Sequence, residues 1–284
     1  MLITTRLSFL QQIQKSATNG YHFYVTGTVQ PESLVRLMDK FQKLYQINMT
    51  RQQAYRERQK GFASAKFFCY ADETDPAGVK IFWVLLLTEG IHPAKESENI
   101  KDLKLKKERF VYSDYQLIQK PRADGKQKFT FSVNPQSLEY YTQKIRKTVR
   151  NKNRYEIKKL IEHINKMPGF SGIRVQRKKL NKIYKGELGR VFENKTNIEL
   201  PQMTNFYHRH VKVDWIKNIQ FFVKQLQENN RTIKQQLKIY RNNKNKRSVK
   251  KIETEQSIKV VHTPKPNNLF IRLIKNNQVI NKER

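Results

Sequence analysis

The stretch HFYVTGTVQPESLVRLMDKFQKLY, residues 22–45, decides the fold class of this chain. Its first eight residues, from His22 to Val29, are mostly β-branched or aromatic and predict a strand. Pro31 then stands at a favoured first-turn position of a helix, with Glu32 beside the positive end of the helix dipole. The apolar residues that follow recur at helical spacing, which predicts one buried face. A strand followed directly by an amphipathic helix indicates an α+β protein.

Further strands and helices follow this unit in an order that fits one sheet. Asn134 and Pro135 are a cap and first-turn pair, and they predict a helix that bends near 151–153 and ends at Pro168. The near-continuous apolar run at 79–88 indicates a strand buried on both faces. An antiparallel sheet of the ferredoxin or RRM kind, with helices on one face, accounts for this order. The predicted strands are 22–29, 63–71, 79–88, 109–119, 128–133 and a short basic one at 172–179.

The other face of such a sheet is an open platform, and aromatic side chains on a platform of this kind stack with nucleic-acid bases. The simpler interpretation is that alternate aromatic residues form the core, and it is favoured for any single residue. The aromatic residues of the predicted strands are Phe23, Phe67, Phe68, Tyr70, Phe82 and Trp83.

The chain is predicted to divide into three regions. Residues 1–200 hold the α+β body, which would bind nucleic acid. Residues 201–240 hold a linker and a long amphipathic helix. Residues 241–284 are polar and basic, and are predicted to form a largely disordered tail with one short strand at most.

The long helix has two possible uses. Its apolar residues from Trp215 to Tyr240 step by three, four or seven. That spacing suits either a seam with a protein partner or a second copy, or a stripe packed on the body. The polar pair at 229–230 interrupts the pattern and favours packing on the body.

The charge of the chain points to a polyanionic partner. Its 284 residues include 57 Lys and Arg against 24 Asp and Glu, which gives a formal net charge of +33, and only 37% are hydrophobic. A compact body with this charge repels itself unless a polyanion neutralises it, which disfavours an ordinary metabolic enzyme. Nucleic acid is the first candidate and an anionic membrane surface the second. The longest apolar stretch, 81–87, is too short to span a bilayer, so no membrane partner is predicted.

Three clusters of basic residues are the candidate nucleic-acid contacts. Tyrosine and phenylalanine residues interleave with them, which suits base stacking beside phosphate neutralisation. The alternative is that each cluster is simply a solvated face. The candidate residues are Arg51, Arg56, Arg58 and Lys60 in the first cluster, Lys144, Arg146, Lys147, Arg150, Lys152, Arg154 and Lys158 in the second, and Arg174, Arg177, Lys178 and Lys179 in the third.

Residues that carry chemistry are scarce. Cys69 is the one cysteine, which excludes an internal disulfide and a Cys-based zinc site and predicts a reducing, cytoplasmic setting. His208 and His210 would share a face on a strand and could then hold a metal, but beside a helix a basic phosphate-contacting edge is favoured. The chain has no glycine-rich phosphate loop. No metal site, cofactor or catalytic residue is therefore predicted.

The order of strand, helix, turn-linked strand pair and later tyrosine-bearing helix resembles the replication-initiator and relaxase domains of plasmids and phages. In that family a central strand carries two metal-binding histidines, and a helix carries the tyrosine that attacks DNA. The matching strand here, 80–87, has no histidine, and the matching helix carries Tyr140 and Tyr141. The resemblance implies a DNA-binding scaffold. The missing histidine pair argues against nicking, because without a cation the scissile phosphate is not polarised.

The sequence thus predicts a DNA-binding protein of a plasmid or mobile element, which contacts the backbone and does no chemistry of its own. One alternative is an RNA-binding or ribosome-associated protein of an AT-rich genome or organelle. The other is a divergent replication initiator or nuclease that uses Tyr140 or Tyr141 with His208 and His210.

Overall fold

The computed structural model divides the chain into two compact units, Met1–Ile233 and Lys234–Arg284. Several predictions lie outside the described residues: the tail beyond 244, the turn at 72–78 between two of the predicted strands, and both His208 and His210. The structure describes residues 2–71, 80–121, 125, 127–192, 201–204, 215–216, 218–229 and 231–244.

The first unit contains both strands and helices, partly in consecutive groups of one type, and the α+β class is confirmed. The strands are β1 (Leu2–Ile3), β2 (Phe23–Val29), β3 (Ala65–Ala71), β4 (Ile81–Leu87), β5 (Lys101–Asp102), β6 (Val111–Tyr112), β7 (Tyr115–Pro121), β8 (Gln127–Val133) and β9 (Trp215–Ile216). The helices are α1 (Arg6–Thr18), α2 (Pro31–Tyr45), α3 (Arg51–Gln59), α4 (Ala94–Ser97), α5 (Pro135–Arg150), α6 (Arg154–Asn165), α7 (Ser171–Val191) and α8 (Ile219–Glu228), with a 3₁₀ turn at Lys106–Glu108. Residues 233–244 are also helical.

Six strands form a mixed sheet in the order β5-β2-β4-β3-β1-β9. The two long ladders, β2 with β4 and β3 with β4, are antiparallel as predicted. The short strand β1 runs parallel to β3, so the sheet is not wholly antiparallel. A second sheet, β6-β7-β8, is antiparallel throughout. Strand β1 was not predicted, because two residues are too few to show a period.

Helix α2 covers one face of the six-stranded sheet. The Phe41 ring of α2 lies 5.3 Å from the Phe67 ring and 5.4 Å from the Trp83 ring, centroid to centroid. Trp83 in turn lies across Gly27 of the neighbouring strand, where an added Cβ would stand 2.6 Å from the indole. Glycine is therefore required at this position so that the indole can lie flat on the sheet.

Helix α1 and the second sheet cover the opposite face. The Phe9 ring of α1 stacks 5.5 Å from the Tyr70 ring of β3 and meets the Tyr112 ring of β6 edge-on at 5.7 Å. Phe67, Phe68 and Tyr70 are at most 4% exposed. For these residues the core interpretation is confirmed, and they offer no stacking platform.

The helices α5, α6 and α7 pack together beside β8. The predicted bend is confirmed, since α5 ends at Arg150 and the Asn153 side chain caps α6 by accepting a hydrogen bond from the Glu156 amide at 3.1 Å. Gly172 allows α7 to pack closely on the backbone of β8, because an added Cβ would meet the Phe131 carbonyl. This layer carries two of the three predicted basic clusters.

Three segments differ from the prediction. The basic stretch 172–179 was wrongly predicted as a strand and begins α7, where its buried residues follow helical spacing. The polar stretch 51–59 is helix α3, which the sequence pattern did not indicate because it has almost no apolar face. In place of one long helix over 215–240, the described residues form β9, then α8, then the helical segment 233–244.

Helix α8 lies against α2, and its Phe222, Val223 and Leu226 are buried. Its apolar stripe therefore packs on the body, as the polar interruption at 229–230 suggested. Among the described residues, no helix is both long and apolar enough to cross a membrane.

Candidate nucleic-acid interface

The first basic cluster lies on helix α3, which the sequence stabilises by local capping. Thr50 and Gln53 form a capping box: the Gln53 amide donates to Thr50 Oγ1 at 3.3 Å, and the Thr50 amide donates to Gln53 Oε1 at 2.9 Å. Ala54 is the one buried residue of this helix, all of whose residues are described. The other side chains of α3 are exposed or partly exposed.

Helices α1 and α3 and strand β3 enclose a groove of about 890 Å³. It contains four cationic side chains, Lys15 of α1, Arg51 and Arg58 of α3, and Lys66 of β3. None of the described residues that line the groove carries a carboxylate. The groove therefore concentrates positive charge on three separate elements with no counter-charge in its own walls. We call it the α3 groove.

The pKa values of Lys66 and Tyr21 in the α3 groove are both shifted by burial and by neighbouring charges. Burial lowers the pKa of Lys66, and the nearby charges of Lys15 and Arg58 lower it further. Its ammonium nitrogen lies 4.2 Å from the centre of the Tyr21 ring, which supplies only weak cation–π compensation. Burial raises the pKa of Tyr21 in spite of Arg58 beside it, so its phenol adds no negative charge at neutral pH. An anion in this groove would relieve the repulsion among its cations.

A second hollow of about 600 Å³ lies beside the α3 groove. Arg51 and Arg58 line both hollows, so the two are adjacent along α3 and share these side chains as a common wall. Gln52, Arg56 and Tyr55 complete the second hollow, and the Tyr55 side chain is 57% exposed. An exposed aromatic ring among guanidinium groups is an arrangement that binds nucleotide bases. We call this the Tyr55 hollow.

Lys60, the last member of the first cluster, follows the end of α3. Its ammonium group lies 3.0 Å from Glu57 Oε1, three residues earlier in the chain. Both side chains are partly solvated, and a surface pair of this kind contributes less than about 1 kcal/mol. Lys60 is therefore partly neutralised, and contributes less than the other members of its cluster to the field of the groove.

The second and third clusters lie on the outer surface of the helices α5 to α7. Nine of the predicted contacts are exposed or half-exposed there, eight on helix faces and Lys152 in the turn between α5 and α6. They are Lys144, Arg146, Lys147, Lys152, Arg154, Lys158, Arg174, Lys178 and Lys179. We call these residues the helical basic surface.

Arg150 serves the protein's own packing at this surface. Its guanidinium lies 3.0 Å from Glu187 Oε2, and Arg190 lies 2.8 Å from Glu187 Oε1. The hydrogen bond from Arg150 and the charges of Arg150, Arg190 and Arg146 lower the pKa of Glu187, so the carboxylate is ionised at neutral pH. Two arginines pair with one carboxylate and the charge of a third acts on it, so the local charge remains positive but is reduced.

Arg177 was wrongly predicted as a nucleic-acid contact. It is 3% exposed, and its Nη2 donates to Asn165 Oδ1 at 3.0 Å and to the Thr204 carbonyl at 2.9 Å. The reason is its phase on α7: Ile173 and Leu180, four residues before and three after, form the buried stripe of this helix. Arg177 therefore joins α7 to the ends of neighbouring segments and is not available to a phosphate.

The two adjacent tyrosines of α5 have different environments. The Tyr141 hydroxyl donates to Asp114 Oδ2 at 2.9 Å and lies 3.0 Å from His163 Nε2. Burial, and then the hydrogen bond to Asp114, raise the pKa of Tyr141, which is the opposite of what an attacking phenolate needs. Tyr140 is 56% exposed, and the Lys144 ammonium donates to its hydroxyl at 2.8 Å.

Comparison of the chain with protein-family models, with curated proteins and with solved structures found no match in any of the three. Its function is therefore argued from its own geometry. Strand β4 lies between β2 and β3 near the middle of the sheet and has no histidine. It includes most of the segment, 80–87, that the order of elements matched to the histidine-bearing strand of replication initiators. In the described part of the chain, no group of three or more His, Cys, Asp or Glu residues is placed to hold a metal ion.

Sequence reasoning missed Lys15 and Lys66 of the α3 groove. Lys15 belongs to α1, and Lys66 stands within an apolar strand pattern where a single lysine is unremarkable. The two residues are 51 positions apart, so no local motif joins them. Only the packing of α1 and α3 around β3 brings them together with Arg51 and Arg58.

Proposed function

We propose that this protein binds nucleic acid through the phosphate backbone, with DNA favoured, as a plasmid or mobile-element protein that does no chemistry on the strand. The observation that carries the proposal is the α3 groove, where four cations from three elements meet without a carboxylate among the lining residues. A protein that gathers positive charge at a cost in self-repulsion needs an anionic ligand to offset that cost. Phosphodiesters supply such an anion at regular intervals.

The helical basic surface extends this interaction over a larger area. Its exposed lysines and arginines stand on convex helices, where they can reach a phosphate backbone without a pocket. The field of both regions is long-ranged at low salt and screened beyond about 10 Å at 0.1 M salt. Binding of this kind is largely independent of base sequence.

The preference for DNA and the absence of chemistry rest on further observations. The order of elements resembles replication-initiator scaffolds, with β4 inside the sheet and the tyrosine pair on α5. The neutral, hydrogen-bonded phenol of Tyr141 favours binding over strand transfer. Tyr140 is exposed, but a nearby lysine alone does not polarise a scissile phosphate as a metal ion does.

The experiment is a salt titration of affinity for matched DNA and RNA probes. The logarithm of the association constant should fall with the logarithm of salt concentration with a slope of about −5 or steeper, which corresponds to roughly six phosphate contacts. A slope near zero, or no binding at low salt, would refute the proposal. Tighter binding to RNA than to DNA at every salt concentration would favour the ribosome-associated or RNA-binding alternative.

A further inference from the structure

We propose that the α3 groove and the Tyr55 hollow together hold one single strand of nucleic acid, so that this site distinguishes a single strand from a duplex. The inference rests on the proposed function and deepens it, since backbone binding alone predicts no such preference. It is carried by two features of the site: a cation set back inside the groove and an exposed aromatic ring at its side.

The position of Lys66 excludes a duplex from full contact with the groove. Lys66 belongs to β3, which lines the groove between α1 and α3, and its side chain is only half-exposed. A duplex carries its phosphates on the outside of a wide, stiff cylinder, which rests on the rims of a groove. A single strand is narrow and flexible, and its phosphates can enter between α1 and α3 to reach Lys66. The groove volume of about 890 Å³ falls in the range of about 300–1,000 Å³ that accommodates ligands the size of one or two nucleotides.

Tyr55 provides a surface for an unpaired base. Its ring is 57% exposed and shares its hollow with Arg51, Arg56 and Arg58. Bases in a duplex are stacked on one another and cannot lie on a side chain without being unstacked, whereas the bases of a single strand are free to do so. The stacking contact is therefore specific for single strands even though it is tolerant of sequence.

The two hollows are adjacent, and the arginines that they share can join them into one site. Arg51 and Arg58 line both, so a phosphate held between these guanidinium groups would place its neighbouring base toward Tyr55 and the next phosphate toward Lys66. The exposed lysines of the helical basic surface can meet the phosphates of a duplex and of a single strand equally well.

The test compares an oligo-dT of about 15 nucleotides, within the site sizes of single-strand binding proteins, with a duplex of the same length. Tyr55→Ala should weaken binding of the oligo-dT about tenfold, the order expected for one stacked base, and change duplex binding less than twofold. Tyr155→Ala is the matched control, because Tyr155 is also exposed, at 70%, and also stands near a lysine, Lys159. The control should leave both affinities unchanged.

The second variant tests the inside of the groove. Lys66→Gln should shallow the salt slope for the oligo-dT by nearly one unit and leave the slope for the duplex unchanged. Lys158→Gln, at an exposed position of the helical basic surface, should shallow both slopes equally. Thermal unfolding of each variant checks that a half-buried substitution has not disturbed the fold.

Equal effects of Tyr55→Ala on both probes, or no effect on either, would overturn the inference and leave the proposed function intact. Thymidine monophosphate or inorganic phosphate that competes as strongly as the oligo-dT, phosphate for phosphate, would also overturn it, because the groove would then be a small-anion site. If the parent protein binds neither probe at low salt, the proposed function itself fails.

Discussion

The α3 groove and the helical basic surface contain the same residue types but place them differently. In the groove, lysines and arginines from α1, α3 and β3 converge on a concave site without a carboxylate among its lining residues. On the helices α5 to α7 the charges are spread over convex faces, and Glu187 neutralises part of the charge of Arg150 and Arg190. Charge density and access, rather than the number of basic residues, therefore separate a specific site from a general electrostatic surface.

High pH should produce the largest effect, a loss of unfolding free energy, because it ionises tyrosines that are buried in the core. Burial raises the pKa values of Tyr24, Tyr115 and Tyr184 to about 12. Their folded-state pKa values lie above the unfolded value of 10.0, so their contribution to stability is complete below pH 10 and is lost as pH rises toward 12. Each should cost about 2 kcal/mol of unfolding free energy by pH 12.

Denaturant titrations at pH 8 to 12 measure this loss. Tyr184→Phe is the matched variant, since it keeps the ring and removes the ionisable hydroxyl, which donates to the Pro201 carbonyl at 2.8 Å. Its stability should fall less steeply with pH than that of the parent. An identical slope in both proteins would show that the Tyr184 phenol is not buried in the neutral form.

Arg177→Ala should produce the next largest effect, on stability rather than on binding. The substitution leaves Asn165 and the Thr204 carbonyl without their charged donor and opens space beside α7. We expect a loss of about 2–3 kcal/mol of unfolding free energy, the range for buried hydrogen bonds to a charged group. Lys178→Ala, one residue further along α7 and exposed, should change stability by less than about 0.5 kcal/mol. If Arg177→Ala keeps its stability and loses affinity for nucleic acid, Arg177 contacts the ligand and its structural role is contradicted.

Paired charge removal compares the two regions directly. Arg51→Gln with Arg58→Gln, and Lys144→Gln with Lys147→Gln, each remove two positive charges. The groove pair should weaken nucleic-acid binding at least about tenfold and the helical pair about threefold, because exposed convex charges are more strongly screened. Binding isotherms at one fixed salt concentration measure both. Equal losses would mean that charge number alone decides binding and that the groove has no special role.

The smallest effect is expected at the tyrosine pair. Tyr140→Phe with Tyr141→Phe should change affinity for DNA less than twofold, because neither phenol lies in the α3 groove. The parent protein, incubated with supercoiled or single-stranded DNA and magnesium or manganese, should neither nick the DNA nor become attached to it, which gel mobility reveals. A covalent adduct that the double variant fails to form would instead support the replication-initiator alternative.

Much of the fold could be predicted from local pattern. Hydrophobic period, helix caps and turn residues predicted four strands, β2, β3, β4 and β8, and three helices, α2, α5 and α6. Helix α3 could not be found in this way, because a helix with one buried alanine has no apolar period. The first residues of helix α7, 172–179, were predicted as a short basic strand, whereas here Gly172 allows the helix to approach β8 closely.

The sequence by itself determined the α+β class, the positions of the long strands and the large positive charge, because period and composition are properties of neighbouring residues. Which basic residues face a ligand was decided only by tertiary structure. Packing buried Arg177, paired Arg150 with Glu187, and brought Lys15 and Lys66 to the arginines of α3. The physical reason is that the effect of a charge depends on its burial and on its neighbours in space, and these neighbours come from segments that are distant in the chain.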